Sequence, residues 1–219
     1  MATSMWRAGI LFLLFGTRAF AVADTLEPFF DLLIRLTSSA VDAEGNVYIA
    51  GLTANPHLPT TPGALRTDFP RCPGAGPTCI HSFVLKISAD GKVVFATYLI
   101  ADERSEWVNS IAVDATHSVY VAGWVLPDAT AKQPGSGFVT RISTDGKKLL
   151  ATKQIVSGQP FSVAVGSSGD VFVAGSATPE GFETTPGAFQ RGAQGGSDAF
   201  VMRLRPDLAT TSFATLLGE

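Results

Sequence analysis

The sequence has few of the residues that build metal and catalytic sites. It holds three histidines and two cysteines in 219 residues. His57, His81 and His117 stand far apart, without the close spacing of zinc-binding motifs. The motifs of zinc peptidases, serine hydrolases and phosphate-binding loops are also missing from the sequence. We therefore predict no catalytic, cofactor-binding or metal-binding set.

Charge is sparse as well. Charged residues make up 16% of the chain, and the formal net charge is −3. Without a basic excess, binding to nucleic acid is not expected. The apolar run at the N-terminus is too short to span a bilayer comfortably, and no later run looks transmembrane, so no integral membrane segment is expected after it.

The N-terminus has the pattern of a secretory signal peptide. Arg7 precedes the apolar run "AGILFLLFG", and "AVA" supplies small residues immediately before Asp24. This pattern predicts a cleaved signal over residues 1–23, and with it a secreted, cell-surface or periplasmic protein. An uncleaved anchor or a buried N-terminal strand is the alternative.

The two cysteines lie close together. Cys72 and Cys79 enclose "CPGAGPTC", and in an exported chain this predicts a disulfide bond. Two free thiols are the alternative in a reducing compartment. Zinc is disfavoured, because His81 adds only a third ligand where four protein ligands are the structural norm.

The sequence is rich in internal repeats. "VDAEGNVYIAG" begins at Val41, and related copies begin at Val113 and Val165. A second recurring block follows each copy, and "TTPGA" recurs at residues 60–64 and 184–188. Repeats of this length are typical of propellers and solenoids.

Each repeat contains four short candidate strands. In the first repeat they are Ser39–Asp42, Val47–Gly51, Ser82–Ser88 and Val93–Leu99, joined in pairs by Asp- and Gly-containing turns. Strands one and two are apolar on both faces, whereas the strands of a β-sandwich alternate more cleanly. We predict an all-β fold of β-propeller-type, four-stranded antiparallel blades, about three in number, in an incomplete or open ring. The predicted blades span residues 39–100, 108–155 and 161–217, and residues 24–38 form a linker or cap.

The repeats resemble the bacterial SBBP repeat, a seven-bladed β-propeller repeat family. The resemblance extends from Ser39 to the C-terminus, and the matching segments include Ala40–Gly51, Thr60–Ala64, Phe83–Ile87, Thr184–Gln190 and Asp198–Leu204. It implies an exported, repetitive protein without a defined enzymatic role. Three blades are too few to close a ring, since propellers have about four to eight. A fragment of a longer protein, an assembly with other copies and an open stack are the possibilities.

Several recurring charged residues have both a structural and a functional interpretation. The acidic turn residues are Asp42, Glu44, Asp90, Asp114 and Asp145. Calcium would need about six to eight oxygen ligands, so hairpin turn chemistry is the favoured explanation. His117 replaces a turn glycine and is interpreted in the same way. Lys86, Arg141 and Arg203 recur in strand three, where a salt bridge at the blade edge is favoured over a ligand-facing basic row.

Binding residues are expected where the repeats differ, above all in the irregular loop between Pro56 and Ile80. The candidates are His57, Arg66, Phe69, Arg71, His81, Trp107 and Trp124. A tolerated insertion and ordinary packing of the aromatics are the alternatives. The expected function is an exported, non-enzymatic module that binds protein or carbohydrate or serves as a scaffold, with self-association through open blade edges. A propeller lyase or hydrolase and a structural fragment are the competing interpretations.

Overall fold

The chain forms three four-stranded antiparallel sheets in a computed structural model that describes residues 34–69, 80–99, 106–126, 135–178, 181–192 and 195–218. The strands are β1 Ile34–Val41, β2 Val47–Thr53, β3 His81–Ile87, β4 Val93–Leu99, β5 Glu106–Val113, β6 Val119–Val125, β7 Ser136–Ile142, β8 Leu149–Ile155, β9 Gly158–Val165, β10 Val171–Ala177, β11 Asp198–Leu204 and β12 Thr211–Leu217. Blades 1, 2 and 3 are β1–β4, β5–β8 and β9–β12, each with its strands in chain order. The predicted all-β fold of about three antiparallel blades is confirmed.

The innermost strand of each blade is longer than the sequence pattern predicts. β1 begins at Ile34, so residues 34–38 belong to the first blade and not to the predicted linker or cap. A β-bulge explains the difference. The pairing register shifts between Leu36 and Ser38, and an extra residue of this kind interrupts the period-two pattern by which a strand is recognised. β5 and β9 have bulges at the same place.

Tight turns join the strands, as the Asp and Gly residues predict. Gly45 has a φ of 83°, and its N–H donates to the Asp42 carbonyl at 3.1 Å. The turn between β11 and β12 lacks glycine, and there Leu208 takes the positive φ, at 59°. Leu208 is buried, so packing compensates for the strain of a non-glycine residue in this conformation.

The blades stack face to face, with β1 beside β5 and β5 beside β9. One apolar cluster fills the first blade interface, between blades 1 and 2, and includes Tyr48, Ala50, Val84, Ile111 and Val121. A second fills the interface between blades 2 and 3 and includes Tyr120, Ala122, Val139, Val163 and Met202. Corresponding repeat positions thus form corresponding cores. In the described part of the chain no helix is long and apolar enough to cross a membrane.

The repeated "TTPGA" segments cover the outer strands of blades 1 and 3. The N–H of Thr61 donates to Ala96 O, and the N–H of Thr185 donates to Ala214 O, both at 3.0 Å. Each segment therefore bonds to the edge strand of its own blade, which protects that edge from pairing with other chains. Blade 2 has no such sequence, and its outer strand β8 is largely exposed.

Candidate functional site

The turn between the first two strands of blade 1 is organised by one buried carboxylate. Asp42 accepts hydrogen bonds from the Asn46 side chain at 2.8 Å and from the Tyr48 hydroxyl at 2.9 Å. Burial raises the pKa of Asp42, but the hydrogen bonds from Asn46, Tyr48 and His117 outweigh it and lower that pKa to about 2. Burial and the negative charge of Asp42 also raise the pKa of Tyr48.

Blade 2 repeats this arrangement with an arginine added. Asp114 accepts from the Tyr120 hydroxyl at 3.2 Å and forms an ion pair with Arg141 at 3.4 Å. Burial raises the pKa of Asp114, and hydrogen bonds from Thr116, Ser118 and Tyr120 reverse that effect, so the net shift is downward. The carboxylate therefore stays ionised and fixes the turn against the face of blade 2.

Blade 3 also has a buried carboxylate, but at a different position of the turn. Gly166 stands where the other blades have Asp42 and Asp114, and Asp170 supplies the charge four residues later. Asp170 is buried and forms ion pairs with Arg203 and, at 3.5 Å, with Arg205. Its hydrogen bond from Arg203 is the main cause of its lowered pKa. Aligning the repeats position by position misses this equivalence.

The recurring cations of strand three lie against the aromatic ring of strand two in each blade. Lys86 Nζ is 5.0 Å from the Tyr48 ring centroid. The guanidinium carbon of the arginine is 5.5 Å from the ring centroid in blade 2 and 5.8 Å in blade 3, for the pairs Arg141–Tyr120 and Arg203–Phe172. Cation–π contacts thus occupy all three cations, and Arg141 and Arg203 also form ion pairs with the turn acids Asp114 and Asp170, in keeping with the structural interpretation.

His117 reaches across the first blade interface. It has a φ of 61°, in a turn position where Gly45 and Gly169 stand in the other blades. Its Nδ1 lies 3.1 Å from Asp42 Oδ2 and 3.4 Å from Glu44 Oε2. The ligand atoms of these three residues all lie within 4.8 Å of one another, the spacing of a group that could hold a metal ion. The sequence predicts only a turn role for His117, because the repeat pattern does not show which residues face it across the interface.

A serine in the innermost strand of blade 1, and one in that of blade 2, links the blade to the next one. Ser38 Oγ accepts from the Ile111 N–H at 3.2 Å, and Ser110 Oγ accepts from the Val163 N–H at 3.1 Å. The third serine of this series, Ser162, is exposed. The three serines hold equivalent positions in the repeats, and this recurrence is visible in the sequence. A serine in a strand does not by itself indicate a hydrogen bond between blades.

One face of blade 3 is exposed where the equivalent faces of blades 1 and 2 are buried. We call it the open face and define it by its described residues, Ser162, Ala164, Phe172, Ala174, Val201 and Arg203. Phe172 is 41% exposed, whereas Tyr48 and Tyr120 at the equivalent positions are 0% exposed. The nearby bulge residue Phe161 is 53% exposed. The open face therefore presents to solvent a surface of the same kind that packs against a blade elsewhere in the molecule.

The candidate residues of the 56–80 loop are only partly brought together. Phe69 packs edge-on against His81, with ring centroids 5.1 Å apart, and against Tyr98 at 5.5 Å. His81 is fully buried, whereas His57 and Arg66 are exposed. Arg71 and the predicted Cys72–Cys79 disulfide lie outside the described residues.

The two candidate tryptophans are direct cross-strand neighbours. Trp107 on β5 pairs in register with Trp124 on β6, and Trp107 is 37% exposed. Neither lies in the 56–80 loop. The acidic turn residues that were weighed against calcium binding do not all converge, since Asp90 forms an exposed ion pair with Lys92 at 2.8 Å.

Comparisons with known proteins give distant structural likenesses. No protein-family model and no curated protein matches the chain. The uncomplexed acylaminoacyl peptidase of Pyrococcus horikoshii is 10% identical, with a TM-score of 0.44, over 87% of this chain and 26% of that one. A luciferin-regenerating enzyme is 12% identical, with a TM-score of 0.39, over 88% and 48%. The cobalt-substituted apocarotenoid oxygenase of Synechocystis is 9% identical, with a TM-score of 0.43, over 84% and 38%. The chain spans less than half the length of each of these structures.

Proposed function

We propose that the chain is an exported, non-enzymatic β-propeller repeat protein of the SBBP type that acts as a protein-binding scaffold. The observation that carries this proposal is the open face. Its residues hold the positions that blades 1 and 2 use to receive a neighbouring blade. The apolar side chains exposed on this face and next to it, those of Ala164, Phe172 and Phe161, are typical of a protein interaction site.

The use of the charged residues supports a scaffold rather than a catalyst. Asp42, Asp114 and Asp170 are held by hydrogen bonds or ion pairs that fix the turns. Each of these carboxylates has a lowered pKa and remains ionised at neutral pH. A general acid needs a pKa close to the working pH, which these groups do not have.

The occupant of the open face is a second copy of this chain. At the other end of the stack, the opposite face of blade 1, which includes Ile49, Phe83 and Leu85, is already buried. Head-to-tail growth through that face is therefore disfavoured, and two copies meet through their third blades. Such a contact closes on itself with two-fold symmetry, the commonest form of homo-oligomer.

Sedimentation analysis of the purified chain and two variants tests this function. Wild type is expected to have twice the single-chain mass at high concentration, and Phe172→Glu is expected to remain a single chain, because a buried unpaired charge opposes the contact. Phe189→Glu is the matched control. Phe189 is 84% exposed and lies outside the open face, so the control keeps the wild-type behaviour.

Two results would contradict the proposal: a wild-type protein that stays monomeric at every concentration, or a Phe172→Glu variant that associates like wild type. Export is checked separately, by N-terminal sequencing of protein recovered outside the cytoplasm. The signal-peptide prediction expects that protein to begin at Asp24.

A further inference from the structure

The first blade interface contains a combination of side chains that its counterpart lacks. The blade 1 turn presents Asp42 and Glu44, and the blade 2 turn presents His117 towards them. At the next interface the turn of blade 3 has Gly169 at the histidine position, and Asp114 of blade 2 is paired with Arg141 instead. The His–Asp–Glu group is therefore a departure from the repeat and not a property of the scaffold.

The geometry of this group matches a small metal ion. His117 Nδ1 lies 3.1 Å from Asp42 Oδ2 and 3.4 Å from Glu44 Oε2. Ligands about 2.0–2.1 Å from a tetrahedral Zn²⁺ are about 3.4 Å from each other. The two distances from His117 thus already fit the edges of a zinc tetrahedron. The third distance joins the carboxylate oxygens of Asp42 and Glu44, and the exposed Glu44 side chain is free to move to fit it.

We propose that His117, Asp42 and Glu44 form a Zn²⁺ site that joins blades 1 and 2. One imidazole and two carboxylates are accepted zinc ligands, and a water molecule takes the fourth position of such a three-residue site. Calcium fits poorly, because it takes six to eight oxygen ligands and the group offers a nitrogen. With Glu44 57% exposed and His117 34% exposed, the ion and its water reach the site from solvent.

Groups outside the ligand set hold one ligand in place. The Asn46 side chain and the Tyr48 hydroxyl donate to Oδ2 of Asp42, the oxygen that faces His117, and the side chain is 3% exposed, so that carboxylate is fixed before a metal arrives. Outer hydrogen bonds of this kind orient metal ligands in zinc proteins. On binding, the metal replaces any proton on His117 Nδ1, and that proton leaves to solvent. The other charged groups near the site are Lys86, stacked on Tyr48, and Asp114, whose charge acts on Tyr48.

Zinc titration of the full chain tests the site. Calorimetry is expected to show one Zn²⁺ per chain, and saturating zinc is expected to raise Tm by about 2–4 °C or more, since a ligand that binds the folded state stabilises it. Magnesium and calcium at the same concentration are expected to leave Tm unchanged. All measurements use a Cys72→Ser, Cys79→Ser background, which removes thiols as competing ligands.

Two variants and one control assign the ligands. His117→Gly restores the glycine of the other repeats, so it keeps the turn while removing the imidazole, and Glu44→Gln removes one carboxylate charge. His117→Gly is expected to weaken zinc binding by at least about 100-fold, and Glu44→Gln by at least about 10-fold. His57→Gln changes another exposed histidine and is expected to bind zinc like wild type.

X-ray absorption of the zinc-loaded chain is expected to show nitrogen and oxygen ligands, including one imidazole. The proposal is overturned if zinc fails to bind with one-to-one stoichiometry, if His117→Gly binds as tightly as wild type, or if the absorption spectrum shows no imidazole. In each of these cases His117 serves only as a polar contact between the blades.

Discussion

At the scale of single residues, each blade fixes its first turn with one ionised carboxylate. All three blades have a negative charge beside strand two, but not at the same repeat position. In blade 3, Asp170 replaces the missing counterpart of Asp42 and Asp114. The sequence predicts the turns themselves, because Asp and Gly encode them locally. It does not predict that His117 meets Asp42, because that contact joins residues of two different repeats, 75 positions apart in the chain.

Asp42 should make stability depend on pH below its ordinary pKa of 3.8. The pKa of Asp42 is about 2 in the folded protein, below the value of 3.8 expected in the unfolded chain. The contribution of this carboxylate to the free energy of unfolding is therefore complete above about pH 4 and is lost as the pH falls towards 2. We expect Asp42→Asn to reduce the free energy of unfolding by about 2 kcal/mol at neutral pH. Urea unfolding of both proteins from pH 2 to pH 7 measures this.

The difference between wild type and Asp42→Asn should shrink as the pH falls through this range. Asp68→Asn, which changes an exposed loop carboxylate, is the control and should unfold like wild type at every pH. A difference for Asp42→Asn that is the same at pH 2 and pH 7 would refute the assignment.

At the scale of elements, the innermost strands hold the stack together. The apolar runs beside the Asp- and Gly-containing turns predict the central parts of these strands, but the bulges at Thr37, Asn109 and Phe161 set their first residues apart from that pattern. The side chain of the bulge residue Asn109 also reaches the innermost strand of the next blade, β9, where it donates to the Pro160 carbonyl at 2.7 Å. Contacts between blades of this kind depend on how the blades stack, which no local pattern contains.

Equivalent serines should differ in importance according to whether a blade follows them. Ser110→Ala removes the acceptor for the buried Val163 N–H and is expected to reduce the free energy of unfolding by about 1–3 kcal/mol. Ser162→Ala changes the same repeat position on the open face and is expected to have an effect within about 0.5 kcal/mol. Chemical denaturation at low protein concentration, where the chain is a monomer, compares the two. Equal losses would show that the serines do not link the blades.

At the scale of the whole molecule, the three blades of the described residues follow from the three repeats of the sequence. The sequence also predicts that blade faces are apolar on both sides. It does not predict which face stays exposed, because Phe172 and Tyr120 occupy equivalent positions and only the stacking order separates them. The exposed face of blade 3 is therefore a property of the assembled stack.

Hydrogen–deuterium exchange as a function of protein concentration tests the central claim, that the open face is a docking surface for a second copy. We predict that peptides covering β9 and β10 exchange more slowly at high concentration, because the contact between copies buries them. Peptides covering β2 and β3, whose residues are buried within the single chain, should exchange at the same rate throughout. Exchange of β9 and β10 that is independent of concentration, in wild type and Phe172→Glu alike, would contradict the account.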